Sequence, residues 1–294
     1  MIRRQDISVL LLYYFRYSAI RNLLLRLQRK PVTRIIAFHE ISNESRKFFD
    51  TNLRFLAENT NIVSFDAFFS RDLSTKKINV IITFDDGYKN WITYAIPVLQ
   101  ILGLPATFFV TSGFVDLSKR DANNFYKYNL HRSPGQENVI ESLTRSDLKR
   151  IAEAGFSIGG HTLSHCNLGM LQDRNHLRNE IVEDKDRLEQ MAGVRINYFA
   201  YPGGEYFNSI CNVTEAVKDA GYRGAVTTIP GFNTQRTNPF LLHRELTRAA
   251  MHEQVFRARI YGNYDLICYV KRCVSVLSRG NTRKNPFSST SFTG

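Results

Sequence analysis

Residues 79–87 read NVIITFDDG and predict the end of a buried β-strand. Gly87 lets the backbone turn away after the strand. Neighbouring side chains point to opposite faces within a strand, but this alternation breaks at a strand end. Asp85 and Asp86 can therefore face one site, where they repel each other unless a cation or a proton lies between them. An ordinary Asp-Gly turn explains the stretch equally well unless the chain supplies partners elsewhere.

A pair of histidines follows a second predicted strand. Residues 161–165 read HTLSH, and residues 156–160 before them read FSIGG, a strand running into a glycine bend. Two imidazoles four residues apart can meet one metal ion, although histidine pairs also occur for structural reasons. Together with Asp86, His161 and His165 would form the three-ligand set of a catalytic divalent metal ion, for which zinc is the expected metal.

A third predicted strand ends in the same way. Residues 198–204 read YFAYPGG, which alone would be a plain Pro-Gly turn. In this order, however, TFDDG, HTLSH and FAYPGG resemble the polysaccharide deacetylase family, carbohydrate esterase family four, which is related to the chitooligosaccharide (nodulation-type) deacetylases. The resemblance covers roughly residues 33–250 and is specific as a combination.

The order of the predicted elements indicates the fold class. Strands alternate with helices, and the polar motifs follow the strand ends, which predicts a parallel α/β barrel. The resemblance implies a distorted (β/α)7 barrel and extends to a branch of the family that looks circularly permuted. Besides the strands above, we expect strands at 33–40, 61–66, 106–110, 222–228 and 241–244, helices at 91–103, 146–153, 173–191 and 209–220, and an irregular insertion at 116–142.

The resemblance also implies roles for residues of the three motifs. Asp86, His161 and His165 match the metal ligands, and Asp85 matches the general base that takes a proton from water. The backbone N–H that stabilises the oxyanion falls at Gly203, counted from the proline of the third motif.

Two more roles carry over less directly. In the branch that looks permuted, a histidine at the end of the first strand is placed to act as general acid, which here is His39, with His243 as the alternative donor. Tyr201 and Pro202, inside the third motif, are expected to contact the substrate.

One position departs from the better-known form of the third motif. That form has an arginine two residues before its proline, where it contacts the catalytic base, and this chain has Ala200 there. We expect Arg244, on another strand, to take the orienting role. A late Leu-x-His acid motif is matched in letters by residues 241–243, which fall in what reads as a different strand.

The chain has 294 residues, of which 43% are hydrophobic, enough for one large domain with appendages. Its formal net charge of +12 is concentrated at the ends. Residues 1–34 carry eight basic side chains and one acidic side chain, and residues 268–294 carry five basic side chains and no acidic one. The middle of the chain is therefore near neutral.

The N-terminal stretch predicts membrane association. Residues 7–15 are uncharged and mostly apolar, which is too short for a spanning helix of about 20 residues. Arg16 ends this run, and no good cleavage site follows, so secretion by a weak signal-like start is left open. We expect residues 1–32 to lie as a basic amphipathic helix on an anionic membrane surface, peripheral to the inner face in the cytoplasm. A helix packed on the barrel or on a partner is the alternative.

The predicted organisation is therefore a membrane-associating segment at 1–32, a catalytic domain at 33–267 and a basic Ser/Thr-rich tail at 268–294. The four cysteines form no Cys-x-x-Cys pair, which argues against a structural zinc site and favours reduced thiols. Cys166, beside His165, is read as a packed thiol in preference to a metal ligand.

The expected substrate is an N-acetylated amino-sugar glycan or a lipid-linked sugar. A sugar-binding relative without turnover, held in a membrane-associated glycan assembly, is the alternative, against which the intact Asp85 argues. Nucleic acid is not an expected partner, because apolar residues separate the basic side chains at the N-terminal end.

Overall fold

The computed structural model describes residues 30–130, 140–204, 212–265 and 268. In chain order its strands are β1 (Thr33–Phe38), β2 (Asn61–Ile62), β3 (Asn79–Asp86), β4 (Ala106–Val110), β5 (Ser157–Gly160), β6 (Tyr198–Ala200), β7 (Gly224–Val226) and β8 (Glu245–Leu246). Its α-helices are α1 (Arg46–Asn59), α2 (Phe65–Ser70), α3 (Ile96–Leu102), α4 (Lys119–Tyr128), α5 (Arg145–Glu153), α6 (Arg174–Ala192), α7 (Val213–Asp219) and α8 (Glu253–Ile260). A π-helical turn, Trp91–Ala95, precedes α3.

The strands form one parallel sheet in the order β7-β6-β5-β4-β3-β1-β8, and β2 adds to the first residues of β3. The sheet closes on itself through the segment that contains β8. Leu242, just before that strand, bridges to Val226 of β7, and β8 then pairs with β1. This seven-stranded parallel barrel, distorted at its short closing strand, confirms the predicted fold class.

The barrel interior is filled by apolar side chains at alternate strand positions. A cluster of buried residues includes Ile35, Ile81, Phe109, Val226 and Leu242, one from each of five segments around the ring. Phenylalanines of α2 belong to the same cluster. Because β2 joins the start of β3, α2 lies at the N-terminal end of the barrel and closes it there. The three motifs lie at the opposite, C-terminal end of the barrel strands.

Several predicted boundaries were wrong, each for a local reason. The strand predicted at 61–66 stops at Ile62, because Ser64 accepts a hydrogen bond from the Ala67 N–H and starts α2. The predicted irregular insertion at 116–142 contains α4, which Ser118 caps. The helix for which Ser146 was the predicted cap is capped two residues earlier, by Thr144, which forms a capping box with Asp147.

Later boundaries shifted as well. The strand predicted at 222–228 is limited to β7, and the strand predicted at 241–244 lies slightly later, as β8. Of the helix predicted at 209–220, the described part is α7, which Asn212 caps.

The predicted membrane-associating segment lies outside the described residues except for its last three, as does the tail apart from Cys268. The two boundaries between the three predicted segments therefore stay predictions. Among the helices of the described ranges, none is both long enough and apolar enough to span a membrane.

Candidate active site

Asp86, His161 and His165 meet at the C-terminal end of the barrel. Asp86 Oδ1 lies 3.5 Å from His161 Nε2 and 3.4 Å from His165 Nε2. One ligand atom from each of the three residues lies within 4.8 Å of the other two. Asp86 and His161 are buried, whereas His165 is partly exposed. One carboxylate and two imidazoles in this arrangement can hold a divalent metal ion.

The second nitrogen of each imidazole faces a backbone carbonyl. His161 Nδ1 lies 2.7 Å from the oxygen of Ala200, and His165 Nδ1 lies 3.1 Å from the oxygen of Asn129. A carbonyl oxygen only accepts hydrogen bonds, so each Nδ1 carries a proton, and Nε2 is the nitrogen of each ring that is left to bind a metal ion. This is the tautomer that metal-binding histidines adopt when an outer partner holds the ring.

The carboxylate of Asp86 is held in a similar way. The hydroxyl of Tyr88 donates to Asp86 Oδ2 over 2.9 Å, while Oδ1 faces the imidazoles. The backbone around the ligands is unusual, because Asp86, Thr162 and His165 have φ values of +91°, +67° and +58°. Such left-handed values are uncommon for residues with a side chain and cluster at functional sites.

Asp85 is buried beside Asp86 but has a different partner. Arg244 Nη1 donates to Asp85 Oδ1 over 2.6 Å, and both side chains are shielded from solvent. Burial acts against the charged form, yet the positive charge of Arg244, with smaller contributions from His161 and His39, holds the pKa of Asp85 below its usual range. The carboxylate is thus kept ionised and able to accept a proton.

The guanidinium of Arg244 is fixed by further contacts. Its Nε donates to the oxygen of Thr227 over 3.1 Å, and Nη1 also reaches the hydroxyl of Thr83 at 3.3 Å. The structure therefore brings the residue that we expected to orient Asp85 into direct contact with it. Ala200, which stands where the better-known motif has its arginine, uses its carbonyl to hold His161.

His39 follows the last residue of β1, and the parallel register places it beside Asp85, because Phe38 pairs with Phe84. Its backbone oxygen accepts a hydrogen bond from the indole of Trp91 at 2.9 Å. The imidazole is partly exposed. His39 is therefore positioned at the same end of the barrel as the two carboxylates.

His243 is held differently. Its backbone N–H and oxygen pair with the side-chain amide of Asn233. Its ring packs against Gly231, where an added Cβ would come within 3.0 Å of the imidazole. This segment precedes β8, and the side chain of Arg244 within it points into the barrel interior. Adjacent side chains of an extended segment point to opposite faces, so His243 faces away from Arg244.

The third motif forms a tight turn. Gly203 has φ +62° and is exposed, and its oxygen accepts a hydrogen bond from the hydroxyl of Thr228. Tyr201 is fully buried and donates its hydroxyl to the oxygen of Phe240 at 3.0 Å, and Pro202 is buried too. The side chains of Tyr201 and Pro202 therefore shape the turn from within, and this burial gives no support to a side-chain contact between them and a substrate.

Helix α6 contributes residues that the sequence reading assigned to a solvated face. Glu180 and Asp184 are buried, because they accept hydrogen bonds from the segment that carries the two histidines. Burial raises the pKa of Asp184 to about 7, although the N–H groups of Ser112 and His161 oppose this rise. The sequence did contain a signal, since Asp184 falls in the apolar stripe formed by Leu177, Ile181 and Leu188.

Comparison with known proteins agrees with this site. The sequence profile of the polysaccharide deacetylase family matches residues 72–225, which is more than half of the chain. YxkH of Bacillus subtilis, a protein assigned by name to the polysaccharide deacetylases, is 26% identical over 235 residues, 77% of this chain and 75% of that protein.

Solved structures share the fold at lower identity. The Streptococcus pyogenes deacetylase PplD, solved in complex with acetate, aligns with a TM-score of 0.61 and 21% identity over 79% of this chain and 99% of that chain. IcaB from Ammonifex degensii aligns with a TM-score of 0.62 and 20% identity over 78% of this chain and 97% of that chain. The chain therefore belongs to the polysaccharide deacetylase family and is a hydrolase that acts on carbon–nitrogen bonds other than peptide bonds.

Proposed function

We propose that this protein is a metal-dependent N-deacetylase of an amino-sugar glycan or a lipid-linked sugar. The observation that carries the proposal is that two adjacent carboxylates contact different groups. Asp86 faces the two imidazoles, and Asp85 faces the guanidinium of Arg244. One carboxylate thus belongs to a metal-ligand set, and its neighbour is free to act as a base.

The metal ligands in this proposal are Asp86, His161 and His165, and the metal is zinc. A divalent ion held there would polarise the amide carbonyl and make water more acidic. Each ligand side chain already has a hydrogen-bond partner on the side away from the metal position. Tyr88 holds Asp86, and the carbonyls of Ala200 and Asn129 hold His161 and His165.

Asp85 serves as the general base in the proposed reaction. Its Oδ1 is engaged by Arg244, which leaves Oδ2 to accept the proton of the attacking water. Arg244 fixes the orientation of this carboxylate and keeps it ionised. The intact pair favours turnover over the alternative of a sugar-binding relative without catalysis.

The remaining roles concern the amide itself. Attack on the carbonyl creates an oxyanion, for which the exposed turn at Gly203 supplies a backbone N–H. The departing amine needs a proton, which we assign to His39 because it lies beside Asp85 in the barrel register. His243 is the second choice for this proton donor, because its side chain faces away from Arg244 and so from the barrel interior, where Asp85 lies.

A release assay tests the proposal. The purified chain would be incubated with N-acetylglucosamine oligomers, and acetate and formate would be quantified separately. We expect acetate, loss of activity on treatment with a chelator and recovery with Zn²⁺. The Asp85→Asn variant should bind zinc and release nothing. Binding of the oligomers with no release by the zinc-loaded wild-type chain would instead support the inactive relative.

The membrane part of the proposal rests on the sequence of residues 1–32. Its basic and apolar side chains suit an anionic surface at the inner face of a membrane, where lipid-linked sugars are assembled. Flotation with anionic and with neutral vesicles at matched salt tests this. Binding to anionic vesicles that weakens on Arg21→Gln together with Arg26→Gln is expected, and equal recovery with both vesicle types, or with neither, contradicts it.

A further inference from the structure

The loop that carries both metal-ligand histidines, residues 161–165, is attached to α6 by two acidic side chains one helical turn apart. Asp184 Oδ2 accepts the backbone N–H of His161 at 3.0 Å. Glu180 Oε2 accepts the backbone N–H of Ser164 at 2.9 Å, and its Oε1 accepts the Ser164 hydroxyl at 2.7 Å. One acid thus holds each end of the loop.

The same two residues make one further contact each, one with a neighbouring turn and one with the loop itself. Asp184 Oδ1 accepts the backbone N–H of Ser112, in the turn that follows β4, at 2.9 Å. The backbone oxygen of Glu180 accepts the N–H of Leu163 at 3.0 Å. Asp184 is completely buried, and Glu180 is 4% exposed. Burying two carboxylates costs folding free energy, which the hydrogen bonds that they accept from the loop must offset.

The loop needs such support because its backbone is strained. Thr162 and His165 both have left-handed φ values. Each non-glycine residue in such a conformation costs of order 1 kcal/mol, and it persists only where surrounding contacts fix it. A loop released from α6 would relax, and the two imidazoles would no longer face Asp86 together.

We propose that Asp184 and Glu180 are positioning residues that hold the 161–165 loop in its metal-binding geometry, and that only Asp184 must be a carboxylate. The inference rests on the proposed metal site. Both oxygens of Asp184 accept backbone N–H groups, which cannot reverse their direction. An asparagine would place its own N–H₂ against one of these donors.

Glu180 faces a different set of groups: the backbone N–H and hydroxyl of Ser164, the imidazole of His176, whose Nε2 lies 3.7 Å from Oε1, and the thiol of Cys166. One of its oxygens accepts a backbone N–H, but the other accepts a hydroxyl, which can turn and become the acceptor. A glutamine can therefore satisfy both groups. The change from acid to amide should therefore weaken zinc binding at position 184 and leave it nearly unchanged at position 180, a difference that a general loss of helix stability would not produce.

The test measures the affinity of the full-length chain for Zn²⁺ by competition with a chromogenic chelator at pH 8. We expect Asp184→Asn to bind zinc at least tenfold more weakly, the size of effect typical for outer partners of metal ligands. Glu180→Gln should stay within threefold of wild type. Asp186→Asn, an exposed position on the same helix, is the matched control and should also stay within threefold. Asp184→Asn within threefold of wild type would overturn the inference.

Two further measurements separate positioning from folding. Thermal unfolding without metal shows whether Asp184→Asn is folded, and the visible spectrum of its Co²⁺ form should differ from that of wild type if the ligand geometry has changed. If Asp184→Asn does not fold, Glu180→Leu decides. It should bind zinc at least fivefold more weakly than Glu180→Gln, and equal affinities would refute the inference. A wild-type chain that binds no zinc would refute the proposed function instead.

Discussion

Arg244 donates to Asp85 over 2.6 Å inside the barrel, although 159 residues separate the two in the chain. The contact depends on barrel closure, because Arg244 lies between Leu242, which bridges to β7, and β8, which pairs with β1. The closing segment thereby brings a guanidinium to a carboxylate at the end of β3. The contact with Asp85 thus comes from an arginine of a distant segment, whereas the side chain of Ala200 has no group that could make it.

The first prediction concerns the pH profile of this pair. Burial alone would raise the pKa of Asp85, and the charge of Arg244 holds it down. In Arg244→Ala the pKa of the Asp85 carboxyl should therefore rise, so that the carboxyl stays protonated to higher pH. The acid limb of kcat/KM for deacetylation should shift upward, with loss of activity at neutral pH and partial recovery at higher pH.

Arg223→Ala provides the control for that experiment. Arg223 pairs with Asp66 at the surface, where both side chains are about half exposed. Its removal should leave the pH profile in place. Full activity of Arg244→Ala at pH 7, with an unmoved acid limb, would show that Arg244 does not orient the base.

The second prediction concerns the hydroxyl of Tyr88. Tyr88→Phe keeps the ring in its buried position but removes the donor to Asp86 Oδ2. The carboxylate loses an outer partner, so the affinity for Zn²⁺ should fall by about tenfold or more. Chelator competition measures the change, and Tyr94→Phe, at a partly exposed ring, serves as the control. Unaltered zinc affinity in Tyr88→Phe would mean that the hydroxyl does not support the ligand.

The third prediction concerns stability at the far side of β1. The buried guanidinium of Arg34 makes two hydrogen bonds of 2.8 Å to Asp265 and lies over the ring of Phe232, 3.9 Å from its centre. Arg34→Ala leaves Asp265 without this partner and removes the stacking contact. The free energy of unfolding should fall by about 3 kcal/mol, as measured by urea denaturation.

The matched surface change is Arg54→Ala. Arg54 pairs with Asp50 within α1, and its side chain is half exposed, so its removal should change stability little. If the two variants unfolded at the same urea concentration as wild type, the buried pair would contribute nothing to holding residues 263–265 against the barrel.

The sequence predicted the fold class and the clustering of Asp86, His161 and His165 because both depend on local patterns. Apolar runs that end in polar motifs place Asp86, His161 and His165 at one end of a parallel sheet. The strand boundaries around Ser64 and Leu242 were harder to predict, since a helix cap and the ring closure decide them.

Contacts between distant segments account for the rest. Asp184 was assigned to a solvated helix face although it falls in the apolar stripe of that helix, and its partners at Ser112 and His161 show why a carboxylate is buried there. Tyr201 looked like a substrate contact, but its hydroxyl is directed to the oxygen of Phe240 in the core. Patterns along the chain do not show which side of a turn becomes covered.

The different roles of the adjacent carboxylates are tested most directly by metal content. Wild type, Asp85→Asn, Asp86→Ala and His161→Ala would be purified in parallel and analysed for bound metal after equilibration with Zn²⁺. We expect about one ion per chain in wild type and Asp85→Asn, and almost none in Asp86→Ala and His161→Ala. Loss of zinc in Asp85→Asn, or full zinc in Asp86→Ala, would contradict the assignment of Asp85 as base and Asp86 as ligand.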